Sequence, residues 1–348
     1  MTRLVFSFAA LLSVPAIASA PSNLQNGERP AAPRMHTEQP HQLRPSTVQR
    51  GAGLDQETLR LQVMLDRAGF SPGVIDGRSG RNTKAALAVF QQQADTTTTM
   101  PVESLTTYTI SAADLAGPFV PRIPSDLVEQ SKLPSLAYTS VLEMLAERFH
   151  ATPALLKELN PTATFAEGEQ IQVPNVDPML VPVEKPEYSR AAPSADRHKT
   201  ASQQQNTIAD RPDVIVTVSK GPSTLTVNDP SGRLLFYARV TTGSEHDPLP
   251  LGEWKVTGIL LNPTFNYNPD LFWDADHAHS KAKLSSGPNN PVGLVWIDLS
   301  KEHYGIHGTP EPANIGRTES HGCVRLTNWD ALRVAGLVKP GTRVIFTD

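Results

Sequence analysis

Cysteine is nearly absent from this chain. Cys323 is the only one among 348 residues, so no intramolecular disulfide can staple the fold. A surplus of positive charge is missing too: 31 Lys and Arg stand against 35 Asp and Glu, a net charge of −4. That leaves no electrostatic footprint for nucleic acid, which is not expected as a partner. Long apolar runs are also lacking. The one candidate, Leu4 to Val14, is short of the ~20 residues a span needs. With Arg3 before it and Ala16-Ile17-Ala18 after it, the run reads as a signal peptide over residues 1–18, cleaved after Ala18. No integral span is expected after cleavage, and the expected destination is the periplasm or cell envelope.

Proline, by contrast, is plentiful at 31 residues, and it gathers in polar stretches. Residues 19–52 and 177–211 are rich in Pro, Gln and Ser without a hydrophobic period, and read as linkers. Between them lie two small units. In residues 53–95, Leu61, Met64, Leu65 and Ala68 share one helical face and Ala86, Val89 and Phe90 another. Pro72-Gly73, Asp76-Gly77 and Gly80 mark turns between them, with Asn82 or Thr83 as cap of the second helix. In residues 134–176, Leu142, Leu145, Ala146 and Phe149 are spaced for a helix. Thr152-Pro153 caps the next one, Asn160-Pro161 stops it, and Ile171 to Val173 is a short strand, a βααβ outline. Small units flanked by linkers suggest a tethered enzyme.

Residues 212–348 are β-rich. Strands are expected at Val214–Val218, Thr224–Val227, Leu234–Thr241, Gly252–Ile259, Gly293–Ile297 and Arg343–Phe346, with one helix at Asn328–Ala335 capped by Thr327 or Asn328. Short strands between Gly/Pro turns argue a β-sandwich or partial barrel. The connection from Asn262 to Lys283 is long, and Tyr267, Phe272 and Trp273 in it either line a substrate groove or pack the loop down.

Within this region His307 to Leu326 concentrates chemistry: HGTPEPANIGRTESHGCVRL. A thiol reacts as its thiolate, and an imidazole can take its proton. In an oxidising compartment a lone Cys is either buried and inert or kept for reactivity. If Ser320 to Leu326 is extended, His321, Cys323 and Arg325 share one face, while Val324 and Leu326 point to the core. Gly322 carries no side chain and lets backbone N–H groups approach a reacting carbonyl, as an oxyanion hole requires. His303, His307, His321 and Cys323 are potential zinc ligands. There is no second Cys, however, and the segment between His303 and His307 reads as strand or turn, so no metal and no cofactor is expected.

The run His307-Gly308, a spacer of about a dozen residues, then Ser320-His321-Gly322-Cys323-Val324-Arg325 resembles the signature of the L,D-transpeptidase catalytic domain. Thr242-Gly243-Ser244, Pro250 to Trp254, Asn262 to Pro269 and Gly287 to Gly293 also look like that family. The resemblance implies Cys323 as nucleophile, His307 as base with the Gly308 carbonyl fixing its tautomer, and a 3→3 cross-link between peptidoglycan stems. His321 is the rival base, Arg325 a substrate or thiolate partner, and Ser320 a structural hydrogen-bonding residue or substrate contact. Residues 53–95 look like the small three-helix peptidoglycan-binding domain, and 134–176 are similar to a LysM module, though the Gly-Asp-Thr turn before its first helix is replaced by Thr139-Ser140-Val141. The expected fold is thus multi-domain: a mainly-β catalytic domain, β-sandwich-like, behind a small all-α and a small α+β module. Peptidoglycan stems and glycan are the expected partners. An L,D-carboxypeptidase, a lipoprotein-anchoring transpeptidase and a non-catalytic wall-binding scaffold are the alternatives.

Overall fold

The computed structural model describes residues 53–93, 103–182, 211–271 and 280–348, with residues 51–348 as one compact unit. The expected signal peptide, Phe272, Trp273 and most of both expected linkers lie outside the described residues.

The first unit has two helices among the described residues, α1 (Gln56–Arg67) and α2 (Arg81–Gln93), where a three-helix domain was expected. Asp55 caps α1 by accepting from the Glu57 N–H at 3.0 Å. Asn82 and Thr83 do not cap α2; they lie inside it. The Asn82 amide instead donates to the Ile315 carbonyl at 3.0 Å, and the buried Thr83 hydroxyl accepts from Gln62 at 3.2 Å.

The second unit begins with β1 (Leu105–Thr109) and two short helices, α3 (Ala112–Leu115) and α4 (Leu127–Gln130). It continues with α5 (Val141–Arg148), α6 (Pro153–Leu159) and β2 (Gln170–Pro174). Thr152 caps α6 with Pro153 in its first turn, as the spacing predicts, and Ser140 caps α5, a role not read from the sequence. β2 pairs antiparallel with β1, so the first strand of the βααβ outline falls at 105–109, outside 134–176. The Leu105-Thr-Thr-Tyr-Thr run is short and largely exposed, which is why it carries no hydrophobic signal.

The β-rich unit comprises β3 (Ile215–Ser219), β4 (Thr224–Asn228), β5 (Leu234–Arg239), β6 (Gly252–Leu261), β7 (Phe265–Tyr267), β8 (Ala282–Leu284), β9 (Val295–Leu299), β10 (Gly305–His307), β11 (Val324–Arg325), α7 (Asn328–Leu337) and β12 (Arg343–Thr347). Eight of these strands form one sheet in the order β11-β10-β9-β6-β12-β3-β4-β5. β6 pairs with β12 through residues 252–255 and with β9 through 256–261, with a register shift between Val256 and Gly258. That shift bends the strand and lets the sheet curl. Beyond β5, Thr241 pairs with Arg325 of β11, so the two ends of the sheet meet. Val216, Leu225, Phe236, Ile297, Ile306, Val324 and Val344 then enter one core, closed by Trp329 and Val334 of α7.

The small units share cores with each other and with the sheet. Leu59, Val63 and Ile75 of the first unit join Leu145, Phe149 and Leu155 of the second. Leu65 and Ala86 pack with Tyr237 of β5. The backbone of Gly69 to Ser71 runs along β5: Ser71 N–H donates to the Tyr237 carbonyl at 2.8 Å and Tyr237 N–H to Gly69 at 2.9 Å. A buried charge cluster joins all three. Asp66 of α1 meets His150 at 3.0 Å and Arg333 of α7 at 2.7 Å, while His150 stacks on Trp329 with ring centroids 5.0 Å apart. Within the described residues the small units are docked onto the sheet.

Candidate active site

His307 ends β10 and Cys323 immediately precedes β11, the two strands at one end of the sheet. β10 and β11 pair in parallel, with Ile306 opposite Val324 and His307 opposite Arg325. Ile306 and Val324 are fully buried in the core, so their neighbours His307, Cys323 and Arg325 share the other face. The expected strand at 320–326 is only partly formed. Residues 321–323 make a bend, because Gly322 sits at φ +97°, a region that L side chains disfavour, and strand geometry is confined to Val324–Arg325. The expected alternation survives the bend: Val324 and Leu326 are buried, while His321, Cys323 and Arg325 are half-buried.

Several bonds hold this segment. Ser320 exchanges backbone bonds with Thr242 and Ser244 at 2.9 and 3.1 Å, and its hydroxyl donates to the Cys323 carbonyl at 2.5 Å. Arg325 and Thr241 exchange both backbone bonds at 2.9 and 3.1 Å. Leu326 N–H donates to the His307 carbonyl at 2.8 Å. Gly322 lies against Tyr304, where an added Cβ would stand 2.6 Å from the ring.

The His307 imidazole is buried and stacked on Trp296, with centroids 5.5 Å apart. Its Nδ1 bonds the Gly308 carbonyl at 2.7 Å. A carbonyl only accepts, so Nδ1 carries the proton and Nε2 is left as the acceptor. Burial, helped by the Arg325 charge, drives its pKa down to about 3 despite that bond. The Cys323 thiol is pushed up by burial, against the Gly305 N–H and the Arg325 charge, which favour the thiolate. At neutral pH both groups are therefore uncharged. The thiol donates to the His303 carbonyl at 3.7 Å, and His303, itself exposed, adopts φ +66°.

The remaining candidate residues are spread out. His321 is half-buried at the bend. Tyr267 does not line a groove: it is 4% exposed and packs with Leu136 and Leu284. The packing alternative applies because residues 123–136 of the second unit cover the β7–β8 hairpin. Among the described residues no three His, Cys, Asp or Glu side chains are grouped to hold a metal ion.

Two further residues border the site without a signal of their own in the sequence. Asn328 is not the cap of α7; Thr327 is, accepting from Asp330 N–H at 3.1 Å. Asn328 is instead fully buried, its Oδ1 accepting from Leu294 N–H at 2.9 Å and lying where a Cβ on Gly308 would meet it at 2.1 Å. Trp296 alternates with core residues on β9, and only the register reveals that it faces His307.

Comparison with known proteins places these residues in context. Residues 213–346 match the family model "YkuD: L,D-transpeptidase catalytic domain", and residues 55–99 match "Putative peptidoglycan binding domain". The chain is 27% identical over 206 residues to "Putative L,D-transpeptidase YkuD" of Bacillus subtilis, covering 58% of this chain and 91% of that protein. It is 32% identical over 146 residues to "Probable L,D-transpeptidase YbiS" of Escherichia coli, covering 38% of this chain and 46% of that protein. Among solved structures, an L,D-transpeptidase from Mycobacterium smegmatis aligns with a TM-score of 0.32 at 18% identity, over 39% of this chain and 59% of that one.

Proposed function

We propose that the protein, whose residues 213–346 match the YkuD family model of L,D-transpeptidase catalytic domains, is a cysteine-dependent L,D-transpeptidase acting on peptidoglycan stems in the cell envelope. The observation that carries the reading is the shared face of His307, Cys323 and Arg325, with His307 locked in the tautomer that leaves Nε2 free to accept a proton.

Because thiol and imidazole are both neutral at rest, proton transfer accompanies attack. Cys323 turns from the His303 carbonyl and gives its proton to His307 Nε2. Its sulfur bonds to the carbonyl carbon of the third stem residue, on the L-centre. Backbone N–H groups around Gly322 and Cys323 hold the oxyanion. Collapse breaks the amide bond to the terminal D-alanine, whose nitrogen takes the proton back from His307. An acceptor stem's amine then attacks the thioester and loses a proton to His307, which passes it to the departing Cys323 sulfur. The product is a 3→3 cross-link. Arg325 favours the thiolate and keeps His307 neutral, its charge lowering both pKa values. His321 shapes the cleft beside Cys323, and Ser320 fixes the Cys323 carbonyl and with it the bend. Residues 55–99 supply affinity for the wall. Water in place of the amine would give an L,D-carboxypeptidase, and a lipoprotein amine would anchor that protein to the wall.

The test is mass spectrometry of the full chain incubated with a disaccharide tetrapeptide, for the wild type, Cys323→Ala and His307→Ala. Loss of D-alanine with a dimer product, abolished in Cys323→Ala and reduced about 10²–10⁴-fold in His307→Ala, supports the reading. Tripeptide without dimer identifies the carboxypeptidase. No release of D-alanine and no acylation of the wild type by a carbapenem identifies a wall-binding scaffold.

A further inference from the structure

We propose that Glu147, on α5 of the second unit, is a positioning residue for the His307–Gly308 pair and acts through Asn328, so that the second unit completes the active site. The proposal rests on reading His307 as the base.

The chain of contacts is continuous. Glu147 is buried between the units, and one carboxyl oxygen accepts from the Tyr138 hydroxyl at 2.6 Å, the other from Asn328 Nδ2 at 2.8 Å. Asn328 Nδ2 also reaches the Pro288 carbonyl at 3.3 Å. Its Oδ1 accepts from Leu294 N–H at 2.9 Å and fills the space beside both Gly293 and Gly308, where added Cβ atoms would stand 2.0 and 2.1 Å away. Gly308 in turn supplies the carbonyl that fixes the His307 tautomer.

An amide has one accepting end and one donating end, and only its partners decide which way it faces. Leu294 N–H needs the oxygen. The acceptors on the opposite side, foremost Glu147, hold the nitrogen there. Without the carboxyl, a flipped amide would set NH₂ against N–H, and the wall of the Gly308 pocket would change shape. Burying a carboxyl is costly, and adhesion between the units needs only apolar side chains. The neighbouring contacts serve the same alignment: Asn289 Nδ2 donates to the Ala137 carbonyl and to Glu143, both at 2.9 Å, and Leu136 and Asn289 bond across the boundary. Burial raises the Glu147 pKa to about 7 against both of its hydrogen bonds, as expected of a carboxyl kept dry at this boundary.

The experiment compares full-length wild type, Glu147→Ala, Glu147→Gln and Tyr138→Phe. The His307 tautomer is read by two-bond ¹H–¹⁵N correlation of histidine-labelled protein, assigned with His307→Gln, and Cys323 acylation is timed with a carbapenem. In Glu147→Ala the Nδ1–H tautomer gives way to a mixture and acylation slows roughly ten- to hundredfold, as for a base displaced by a fraction of an ångström. Glu147→Gln, whose amide oxygen still accepts from Asn328, keeps the wild-type tautomer and a rate within about threefold. Tyr138→Phe, which leaves the Asn328 bond in place, changes the tautomer less than Glu147→Ala. Should Glu147→Ala not fold, Glu147→Leu, which fills the space without any hydrogen-bond acceptor, replaces it. A folded variant without the acceptor that keeps the tautomer and the acylation rate, whatever its melting temperature, overturns the proposal. A wild type that is never acylated removes the proposed chemistry instead, and the tautomer still decides the role of Glu147.

Discussion

Arg325 acts on both Cys323 and His307, the proposed nucleophile and base, through its charge. It lowers the pKa of Cys323, which favours the thiolate, and lowers that of His307, which keeps the base unprotonated. Removing the charge should raise both. In Arg325→Met the midpoint of Cys323 alkylation by iodoacetamide should move to higher pH than in the wild type; an unmoved or lower midpoint would exclude the electrostatic role. Gly322 makes a second prediction. Its φ of +97° and the Tyr304 ring 2.6 Å from an added Cβ leave no room for a side chain. Gly322→Ala should lose about 1–3 kcal/mol of stability in urea denaturation and most of its acylation rate. At this scale the sequence is highly informative, because a lone thiol, two glycines and four polar residues occupy fixed spacings within one segment. What it withheld was Asn328 and Glu147, 181 residues apart, whose hydrogen bond has no trace in either local pattern.

The six strands expected in the β-rich unit start and stop within a few residues of the alternation read from the sequence, whereas β7 and β8 fall in the stretch read as a long connection, too short to carry a pattern of their own. A further exception is the segment at Cys323, read as a strand from Ser320. Gly322 bends it, and only two residues pair with β10. Alternation of burial does not by itself require strand hydrogen bonds, and here backbone bonds from Thr242 and Ser244 hold Ser320 instead. The entry to α7 is the other element whose local detail reaches the site. Thr327, fully buried, caps the helix immediately before Asn328. Thr327→Ala should cost about 1–2 kcal/mol, measured by urea denaturation. It should also slow acylation of Cys323, because it loosens the residue that walls Gly308. A loss of stability with acylation unchanged would show that the helix start and the site are independent.

Across the whole molecule the three units meet at Asp66, His150 and Arg333. Burial of these charges belongs to the assembled set, so no local pattern in the sequence announces it. The Asp66 carboxyl, held down to about 2 by the His150 and Arg333 charges against its burial, is ionised throughout the neutral range. Because its folded pKa lies below the unfolded value, its contribution is complete above about pH 4 and disappears as pH falls through about 2. Asp66→Asn should therefore lose about 3–5 kcal/mol at pH 7, and the difference from wild type should narrow on acidification through that window. A gap that is constant with pH would show that the charge is not what joins the units.

The bonds of Gly69 to Ser71 along β5 bear on how this protein can be handled. They occupy hydrogen-bonding groups that a free sheet edge would offer to any passing strand. A fragment starting at residue 212 would bare that edge together with the Tyr237 ring, which Leu65 and Ala86 now cover. Such a fragment should self-associate at concentrations where the intact chain stays monodisperse in analytical ultracentrifugation. The small units would then be solubilising chaperones built into the same chain, present before any wall polymer is met.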